Sequence, residues 1–289
     1  MWPSSPAARD VVVVDLRPAR HTRDPWSAPE ILIEDEETLG GRTSTLTVFL
    51  VGRECPWRCV MCDLWTQTTL ADTPVGAVPA QIRSACARVD AESRVISHIK
   101  LYNAGSFFDP RAVPETDYRS IAVQLRRFQR VIVECHPALV GPRVDRFIDA
   151  MREECPGTSL EVAMGLETTH PEALASLNKR MDVEQFVEAA DYLRTRRIAL
   201  RVFLLVWPPF IPAAEQDHWL LASLDVALAC GAAVISLIPT RGGNGAMEAL
   251  SAVGLFQAPP ATAINRSAGV AKGHVGTRAT VLLDPWRAS

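Results

Sequence analysis

The stretch "TLTVFLVGRECPWRCVMC", residues 45–62, joins a continuous apolar run to three closely spaced cysteines. The run at 45–51 is short and rich in β-branched residues, which is typical of a strand buried on both faces of a sheet. Cys55, Cys59 and Cys62 follow this run closely. The pattern predicts a loop that bears three thiols at the carboxyl end of a buried strand.

Runs of the same kind recur along the middle of the chain. After the first run they occupy 98–103, 131–135, 160–166, 200–206 and 233–238. Between them, apolar residues recur at spacings of three and four residues, which predicts helices with one buried face each. Six alternations of strand and helix favour a parallel sheet with right-handed crossovers, either open or curled into a barrel.

The regular alternation does not extend to either end of the chain. We therefore predict an N-terminal flank at 1–40, a core at 41–256 and a C-terminal tail at 257–289. Both flanks lack strand and helix periodicity, so they are predicted to be irregular. A chain of 289 residues with 48% hydrophobic residues is long enough for one large core of this kind.

The overall charge and the first residues bear on partners and location. The formal net charge of -3 gives no general attraction to nucleic acid or to an anionic membrane. The sequence begins without a basic segment that leads into an apolar stretch, and no apolar run is long enough to span a bilayer. We expect a cytoplasmic protein with no membrane partner.

Three thiols on one short loop suit a metal centre better than a disulfide framework. In a protein without an export signal, clustered cysteines stay reduced and favour metal or redox chemistry. A structural zinc ion would need a fourth ligand, for which His136 is the best candidate. An iron-sulfur cube held by three cysteines keeps one open iron position. The remaining cysteines are predicted to be packing residues, and they are Cys86, Cys135, Cys155 and Cys230.

The other unusual residues follow the other predicted strands. They lie in "NAGSFFD" (103–109), "ECHP" (134–137), "GLET" (165–168), "WPPF" (207–210) and "PTRGGNG" (239–245). In parallel α/β folds, ligand-binding groups gather at the carboxyl ends of the strands. We therefore expect these segments and the three cysteines to converge on one rim.

The cysteine spacing and several further motifs resemble those of the radical S-adenosylmethionine enzymes. The motifs are "GLET", "CDLW" at 62–65, "LYNAGSFFDP" at 101–110, "LNKRM" at 177–181 and "IPTRGGNGAM" at 238–247, and the similarity spans about 45–245. The resemblance is to the subgroup of the elongator-complex catalytic subunit and the oxygen-independent coproporphyrinogen oxidases. Within that subgroup, the chain is most similar to archaeosine-forming radical enzymes and their uncharacterised bacterial relatives.

The resemblance implies a fold and a chemistry. The fold is a partial (β/α)6 TIM-like barrel with parallel strands. In this family three cysteines, here Cys55, Cys59 and Cys62, hold a [4Fe-4S] cluster whose open iron chelates the amino and carboxylate groups of S-adenosylmethionine. An electron supplied by a reductase such as ferredoxin or flavodoxin cleaves the sulfonium, and the resulting 5'-deoxyadenosyl radical removes a hydrogen atom from the substrate. Such an enzyme is oxygen-sensitive.

The resemblance also implies a set of residues that contact S-adenosylmethionine. The turn after the second strand would meet the methionine amino group, and Glu167 would hold the ribose or the methionine portion. The residues themselves add two contacts: Val206 and Pro208 would pack on adenine, and Arg241 with the glycines after it would accommodate an anionic group. The full set is Asn103, Gly105, Ser106, Glu134, Glu167, Val206, Pro208 and Arg241.

Several of these positions have simpler interpretations that the sequence leaves open. Residues 103–106 fit an ordinary turn, and Glu134 fits a structural ion pair. Val206 and Pro208 fit core packing, and the loop at 239–245 fits a mobile turn.

The sequence leaves two classes of function open. The first is a radical S-adenosylmethionine enzyme that acts on a modified nucleoside, free or in tRNA, or on a small metabolite. The second is a zinc-stabilised nucleic-acid-binding module whose basic surface would comprise 239–245, Arg126, Arg127 and Arg130. Arg201 lies at the far end of its strand from the rim and is predicted to be a solvated surface charge.

Overall fold

The computed structural model describes residues 2–21, 23–38 and 41–284, in which strands and helices alternate. The strands are β1 (Glu30–Thr38), β2 (Gly41–Leu50), β3 (His98–Asn103), β4 (Arg130–Glu134), β5 (Ser159–Glu167), β6 (Ala199–Val206), β7 (Ala232–Pro239) and β8 (Thr280–Leu283). The α-helices are α1 (Pro6–Asp15), α2 (Ala77–Ala91), α3 (Tyr118–Leu125), α4 (Pro142–Glu154), α5 (Pro171–Ser176), α6 (Val183–Thr195), α7 (Gln216–Ala229), α8 (Ala246–Ala252) and α9 (Ala261–Val275).

The strands form one sheet whose order follows the chain. Neighbours from β2 to β8 run parallel, and β1 pairs antiparallel with β2. The outer strands β1 and β8 approach one another, so the sheet curls into a nearly closed barrel. The parallel strands β2 to β7 are the six that the sequence predicts. The partial TIM-like (β/α)6 barrel is therefore confirmed.

Both flanks contain regular structure, which corrects the prediction that they are irregular. The N-terminal flank contributes α1 and β1, and the C-terminal tail contributes α9 and β8. The strand β1 reads "EILIEDEET" and lacks an apolar run because acidic side chains from it enter the barrel. Positions 285–289 of the predicted tail lie outside the described residues.

The outward face of the strands forms the main core with the helices. On β2 and β3 this face carries Leu46, Val48, Ile99 and Leu101, all of which are fully buried. Burying one aliphatic side chain of this size contributes about 2 kcal/mol to stability. Within the described ranges, none of the helices has both the length and the apolar character needed to cross a membrane.

The inward face carries paired charges near the amino-terminal ends of the strands. Arg201 is 3% exposed; its Nε donates to Glu161 at 2.6 Å and its terminal nitrogens donate to Glu36 at 3.1 Å. The Lys100 ammonium donates to Glu36 at 2.5 Å and to Glu34 at 2.7 Å. Buried charges need partners of this kind. The prediction of a solvated surface charge at Arg201 is therefore wrong, because the barrel closes around this residue.

A smaller apolar cluster lies at the opposite, carboxyl-terminal end of the barrel. It joins Val13 of α1, Val60 of the loop after β2, and Met247 and Leu250 of α8. The N-terminal helix is thereby packed against the loop that carries the cysteines. We call this end of the barrel the mouth.

Candidate functional site

The three cysteines lie in the loop after β2, and we call residues 53–63 the thiol loop. A backbone hydrogen bond from Cys62 N to Cys59 O at 3.2 Å closes its second turn. The Arg58 guanidinium donates to the carbonyl oxygen of Cys55 at 2.5 Å. These polar groups of the backbone are satisfied inside the loop, which gives it a defined shape.

Two buried asparagines from other loops hold the thiol loop against the barrel. Asn244 Nδ2 donates to Val60 O at 2.7 Å and to Cys62 O at 3.2 Å. Asn178 Nδ2 donates to Arg58 O at 3.0 Å. The thiol loop is therefore tied both to the segment between α5 and α6 and to the loop after β7.

The three thiols are free and lie close enough to influence one another electrostatically. Each cysteine is partly exposed. Burial of the sulfur atoms raises the pKa of Cys55 to about 12 and that of Cys62 to about 11. Burial also raises the pKa of Cys59; Cys55 and Cys62 add to the rise, and Lys179 opposes it. Across the described residues, no group of three or more His, Cys, Asp or Glu side chains is arranged to hold a metal ion.

Lys179 supplies a buried positive charge beside the thiols. Its ammonium donates to Gly165 O at 2.5 Å and to Glu167 Oε1 at 2.6 Å, and both charged side chains are buried. A Cβ atom on Gly165 would lie 2.0 Å from Glu167 Oε1 and 2.3 Å from Lys179 Nζ. Gly165 therefore leaves the space in which this ion pair forms, and Glu167 lies at the mouth, as the sequence predicts.

Asn103, Gly105 and Ser106 lie together where β3 ends. Asn103 is 7% exposed, and neither polar atom of its side chain has a hydrogen-bond partner among the described residues. A buried amide without partners is costly, and a bound ligand would supply them. Gly105 fits against the thiol loop, since a Cβ there would lie 2.4 Å from Arg53 O. Ser106 Oγ accepts a hydrogen bond from His136 N at 3.0 Å.

Glu134 ends β4 and lies between the mouth and the charged amino-terminal end of the barrel, which we call the floor. Its carboxyl group makes no hydrogen bond or ion pair within the described part of the chain. Burial raises its pKa to about 8; Asp284 and Glu167 add to this rise, whereas Lys179 and Lys100 oppose it. The structural ion pair that the sequence left open is therefore absent among these residues, and the carboxyl group is available to a ligand.

His136 is engaged by the protein itself, which argues against it as a fourth zinc ligand. Its Nε2 donates to Lys179 O at 2.9 Å, and its Nδ1 accepts from Ala138 N at 3.2 Å. Burial lowers the pKa of His136 to about 3, so the ring is neutral. The ring stacks on Trp57 of the thiol loop, with centroids 3.7 Å apart and planes 7° apart. His136 therefore positions the loop.

Val206 and Pro208 are buried at the end of β6. Val206 is 1% exposed and belongs to the main core. The Pro208 carbonyl accepts from Gln216 Nε2 at 3.2 Å. Both residues line a small cavity that Glu167 also lines. Core packing accounts for Val206, and contact of these residues with adenine stays a prediction.

The glycine-rich loop after β7 is bound by side chains of the protein. The Glu248 carboxylate accepts from Gly243 N and, at 2.7 Å, from Gly245 N. Arg241 forms an ion pair with Asp63 of the thiol loop. Two of the backbone N–H groups predicted to accommodate an anion, those of Gly243 and Gly245, thus bond to Glu248, and anion binding by this loop stays a prediction. In this arrangement the loop braces the thiol loop.

The predicted basic surface for nucleic acid is not formed by the three arginines around the start of β4. Each is paired with a carboxylate: Arg126 with Glu154, Arg127 with Asp90 and Arg130 with Glu161. They also lie at the end of the barrel opposite the thiols. Their compensated charges remove the main support for a nucleic-acid-binding module.

Backbone strain is concentrated at the mouth. Ser106, Glu167 and Trp207, at the ends of β3, β5 and β6, have φ values of 62°, 67° and 59°. A non-glycine residue in this region costs on the order of 1 kcal/mol, and such residues cluster at ligand sites. The mouth is therefore a place where packing enforces a particular geometry.

The structure adds residues to the mouth that sequence analysis did not single out. Lys179 and Asn178 lie in "LNKRM", and Asn244 lies in "IPTRGGNGAM". Both runs carry the family resemblance, and that is the signal that could have identified these residues. Their contacts join positions far apart in the chain, so spacing alone does not reveal them.

Comparison with curated proteins finds two distant relatives. The chain is 25% identical over 196 residues to archaeosine synthase subunit beta of Methanosarcina acetivorans, a match that covers 65% of this chain and 55% of the relative. It is 24% identical over 149 residues to an uncharacterised protein of Methanocaldococcus jannaschii, with 49% and 39% covered. The chain thus spans about half the length of these relatives or less. No family model matches it.

Comparison with solved structures finds the same barrel. The Elp3 protein of Methanocaldococcus infernus, lacking its N-terminus, superposes with a TM-score of 0.55 at 13% identity and covers 72% of this chain and 52% of its own. Coproporphyrinogen III oxidase (HemN) from Escherichia coli, a radical SAM enzyme, gives 0.50 at 14% identity, with 80% and 52% covered. These likenesses show the fold, and together with the sequence relatives they confirm the resemblance drawn from the motifs.

Proposed function

We propose that this protein is a radical S-adenosylmethionine enzyme in which Cys55, Cys59 and Cys62 hold a [4Fe-4S] cluster. It abstracts hydrogen from a modified nucleoside, free or in tRNA, or from a small metabolite. One observation carries the proposal. Three free thiols lie on one loop at the mouth of a barrel whose fold is shared with a radical SAM enzyme.

The residues at the mouth fit such a cluster. Cysteine thiolates are the ligands of iron-sulfur cubes, and three of them leave one iron open. The Lys179 ammonium lowers the electrostatic cost of several thiolates in one place. A zinc site would need a fourth ligand, and both ring nitrogens of His136 are already hydrogen-bonded.

A bound cluster and the residues of the chain would have different roles. When bound, a cluster of this kind supplies an iron position for the amino and carboxylate groups of S-adenosylmethionine and the electron that cleaves its sulfonium. The chain binds and orients. Asn103 offers an unpartnered donor and acceptor, and Glu134 offers an unpartnered carboxyl group that suits an ammonium ion. Glu167 uses Oε1 for Lys179, so its Oε2 can accept from ribose hydroxyls.

Aromatic side chains limit access of water to the thiol loop. Trp57 is held in place by its stack on His136. Trp65 is 3% exposed, and the Arg17 guanidinium lies over its ring at 4.7 Å from the centroid. Solvent exposure is one of the factors that set iron-sulfur potentials, so these residues tune the cluster as well as enclose it.

Sequence similarity and net charge both bear on the proposed class of substrate. The relation to archaeosine synthase subunit beta supports a modified nucleoside. The net charge of -3 differs from the strongly basic footprint of many RNA-binding proteins, so a free nucleoside or another small metabolite is included in the proposal. The electron comes from a reductase such as ferredoxin or flavodoxin.

Anaerobic reconstitution with iron and sulfide tests the proposal. The loaded protein is expected to be brown, with absorption near ~400 nm, and to form 5'-deoxyadenosine from S-adenosylmethionine and dithionite. Cys59→Ala should lose both the colour and the product. Cys155→Ala is the matched control, because Cys155 is a free, buried thiol after α4, at the opposite end of the barrel. Fully loaded protein that forms no 5'-deoxyadenosine would contradict the proposal.

A further inference from the structure

Helix α1 lies across the segment that leads to Lys179. Arg9 of this helix donates to Ala175 O at 2.7 Å, and Trp2 Nε1 donates to Ser176 O at 3.3 Å. Both acceptors belong to the last turn of α5, just before the run that contains Lys179. The N-terminal flank is therefore attached to the mouth by specific hydrogen bonds in addition to apolar packing.

One carboxylate of α1 bonds to residues on both sides of Lys179. Asp10 Oδ1 accepts from Asn178 Nδ2 at 2.8 Å, and Asp10 Oδ2 accepts from Arg180 at 2.5 Å. Asn178 and Arg180 have φ values of 59° and 61°, a conformation that costs a non-glycine residue on the order of 1 kcal/mol. The turn that presents Lys179 thus needs support from outside, and Asp10 provides it.

The same contacts reach the thiol loop. The Asn178 amide that donates to Asp10 also donates to Arg58 O, and Arg58 lies between Cys55 and Cys59. A continuous chain of hydrogen bonds therefore runs from α1 through Asn178 to the backbone beside the thiols. These bonds fix the orientation of the Asn178 amide and thereby hold its segment against the thiol loop.

We propose that Asp10 is a positioning residue that sets the place of Lys179 relative to the three thiols. In this role Asp10 acts through Asn178 and Arg180, to which its carboxylate is hydrogen-bonded. The role of the thiols as cluster ligands comes from the proposed function, on which this inference rests. The geometric part, that Asp10 orders the two segments, stands on the contacts of the chain alone.

Hydrogen–deuterium exchange of the chain purified without a cluster tests the geometric part. Asp10→Ala should lower the protection of backbone amides at 55–62 and 176–182 about tenfold, the factor that corresponds to about 1.4 kcal/mol. Peptides from the sheet should be unchanged. Asp15→Ala is the control, because Asp15 is exposed on the same helix and its side chain makes no contact of this kind within the described residues. Wild-type exchange in Asp10→Ala would overturn the inference.

A second readout concerns the loaded protein. Asp10→Ala should bind S-adenosylmethionine about tenfold more weakly and alter the electron paramagnetic resonance signal of the reduced cluster. Asp10→Asn keeps the side-chain size and the acceptor for Asn178 but loses the charge opposite Arg180. Its affinity and its exchange should therefore lie between those of wild type and Asp10→Ala. Asp10→Asn also provides the test if Asp10→Ala does not fold. If Asp10→Ala alters the exchange but the wild-type protein forms no cluster, the proposed function is refuted and the ordering role of Asp10 stands. Unaltered exchange with wild-type affinity would refute the role of Asp10 alone.

Discussion

At Gly165 the lack of a side chain decides whether Lys179 and Glu167 can meet. Gly165→Ala would place a Cβ within 2.3 Å of both charged groups, so we expect the ion pair to separate. A separated buried pair and local overpacking should lower the free energy of unfolding by about 2 kcal/mol. Denaturant unfolding measures this loss, and iron content after reconstitution should fall with it.

Gly157→Ala is the matched control for that substitution. A Cβ at Gly157 meets no atom within 4 Å, so the free energy of unfolding should change by less than about 0.5 kcal/mol. Equal losses in the two variants would show that the effect at Gly165 is not due to the ion pair.

Glu134 should make the stability of the protein without cofactor depend on pH. Its pKa is raised from 4.5 to about 8 in the folded state. Between these values the unfolded chain loses a proton that the folded chain keeps, so stability falls as pH rises toward 8 and then levels off. Urea unfolding of wild type from pH 4 to 9 should show this fall. The free energy of unfolding should change by at most about 1.4 kcal/mol per pH unit. Glu134→Gln should lack this component; parallel curves for the two proteins would contradict the assignment.

At the scale of elements, the strand β1 is held in part by cations from strands far along the chain. Glu36 accepts from Arg201 of β6 and Lys100 of β3, and although burial raises its pKa, these two cations hold it at about 2. Arg201→Met would remove one charged partner from each of the carboxylates of Glu36 and Glu161. We expect a loss of about 3 kcal/mol in the free energy of unfolding, measured by denaturant titration.

An exposed ion pair provides the comparison for that loss. Arg127 and Asp90 pair at the surface, with 41% and 55% of their side chains exposed. Arg127→Met should cost less than about 1 kcal/mol because solvent screens such pairs. A similar cost at both positions would mean that the barrel interior is open to water at Arg201.

The same comparison of elements shows what the sequence can and cannot predict. The strands β2 to β7 each contain an apolar run, because the helices cover the outer face of the sheet and the barrel encloses the inner face. Such runs can be recognised in the sequence. The strand β1 alternates with acidic residues whose partners lie far along the chain. The helix α9 reads "ATAINRSAGVAKGHV", and its buried face consists of small residues such as Ala268 and Ala271. A face of that kind gives little hydrophobic periodicity.

The candidate site was predictable in part for a similar reason. The spacing of the cysteines and the position of the rim follow from local sequence. The pairing of Lys179 with Glu167, the anchoring of Asn178 by Asp10 and the engagement of His136 depend on tertiary contacts. Single-sequence patterns cannot show such contacts, and the prediction for Arg201 failed because its partners Glu36 and Glu161 come from other strands.

At the scale of the whole molecule, charge is distributed unequally along the barrel. The floor is closed by carboxylates and cations that neutralise one another. The mouth gathers three thiols, one ammonium group and the unpartnered groups of Asn103 and Glu134. The unpartnered groups of Asn103 and Glu134 therefore lie at the same end of the barrel as the three thiols.

The contacts that helix α1 and strand β1 make with distant parts of the chain also have a consequence for biosynthesis. Asn178 and Arg201 are translated 168 and 165 residues after their partners Asp10 and Glu36. Contacts this distant form late and slow the folding of a chain. On the ribosome, these contacts cannot form until Asn178 and Arg201 have emerged, and under the proposed function cluster assembly would follow that step.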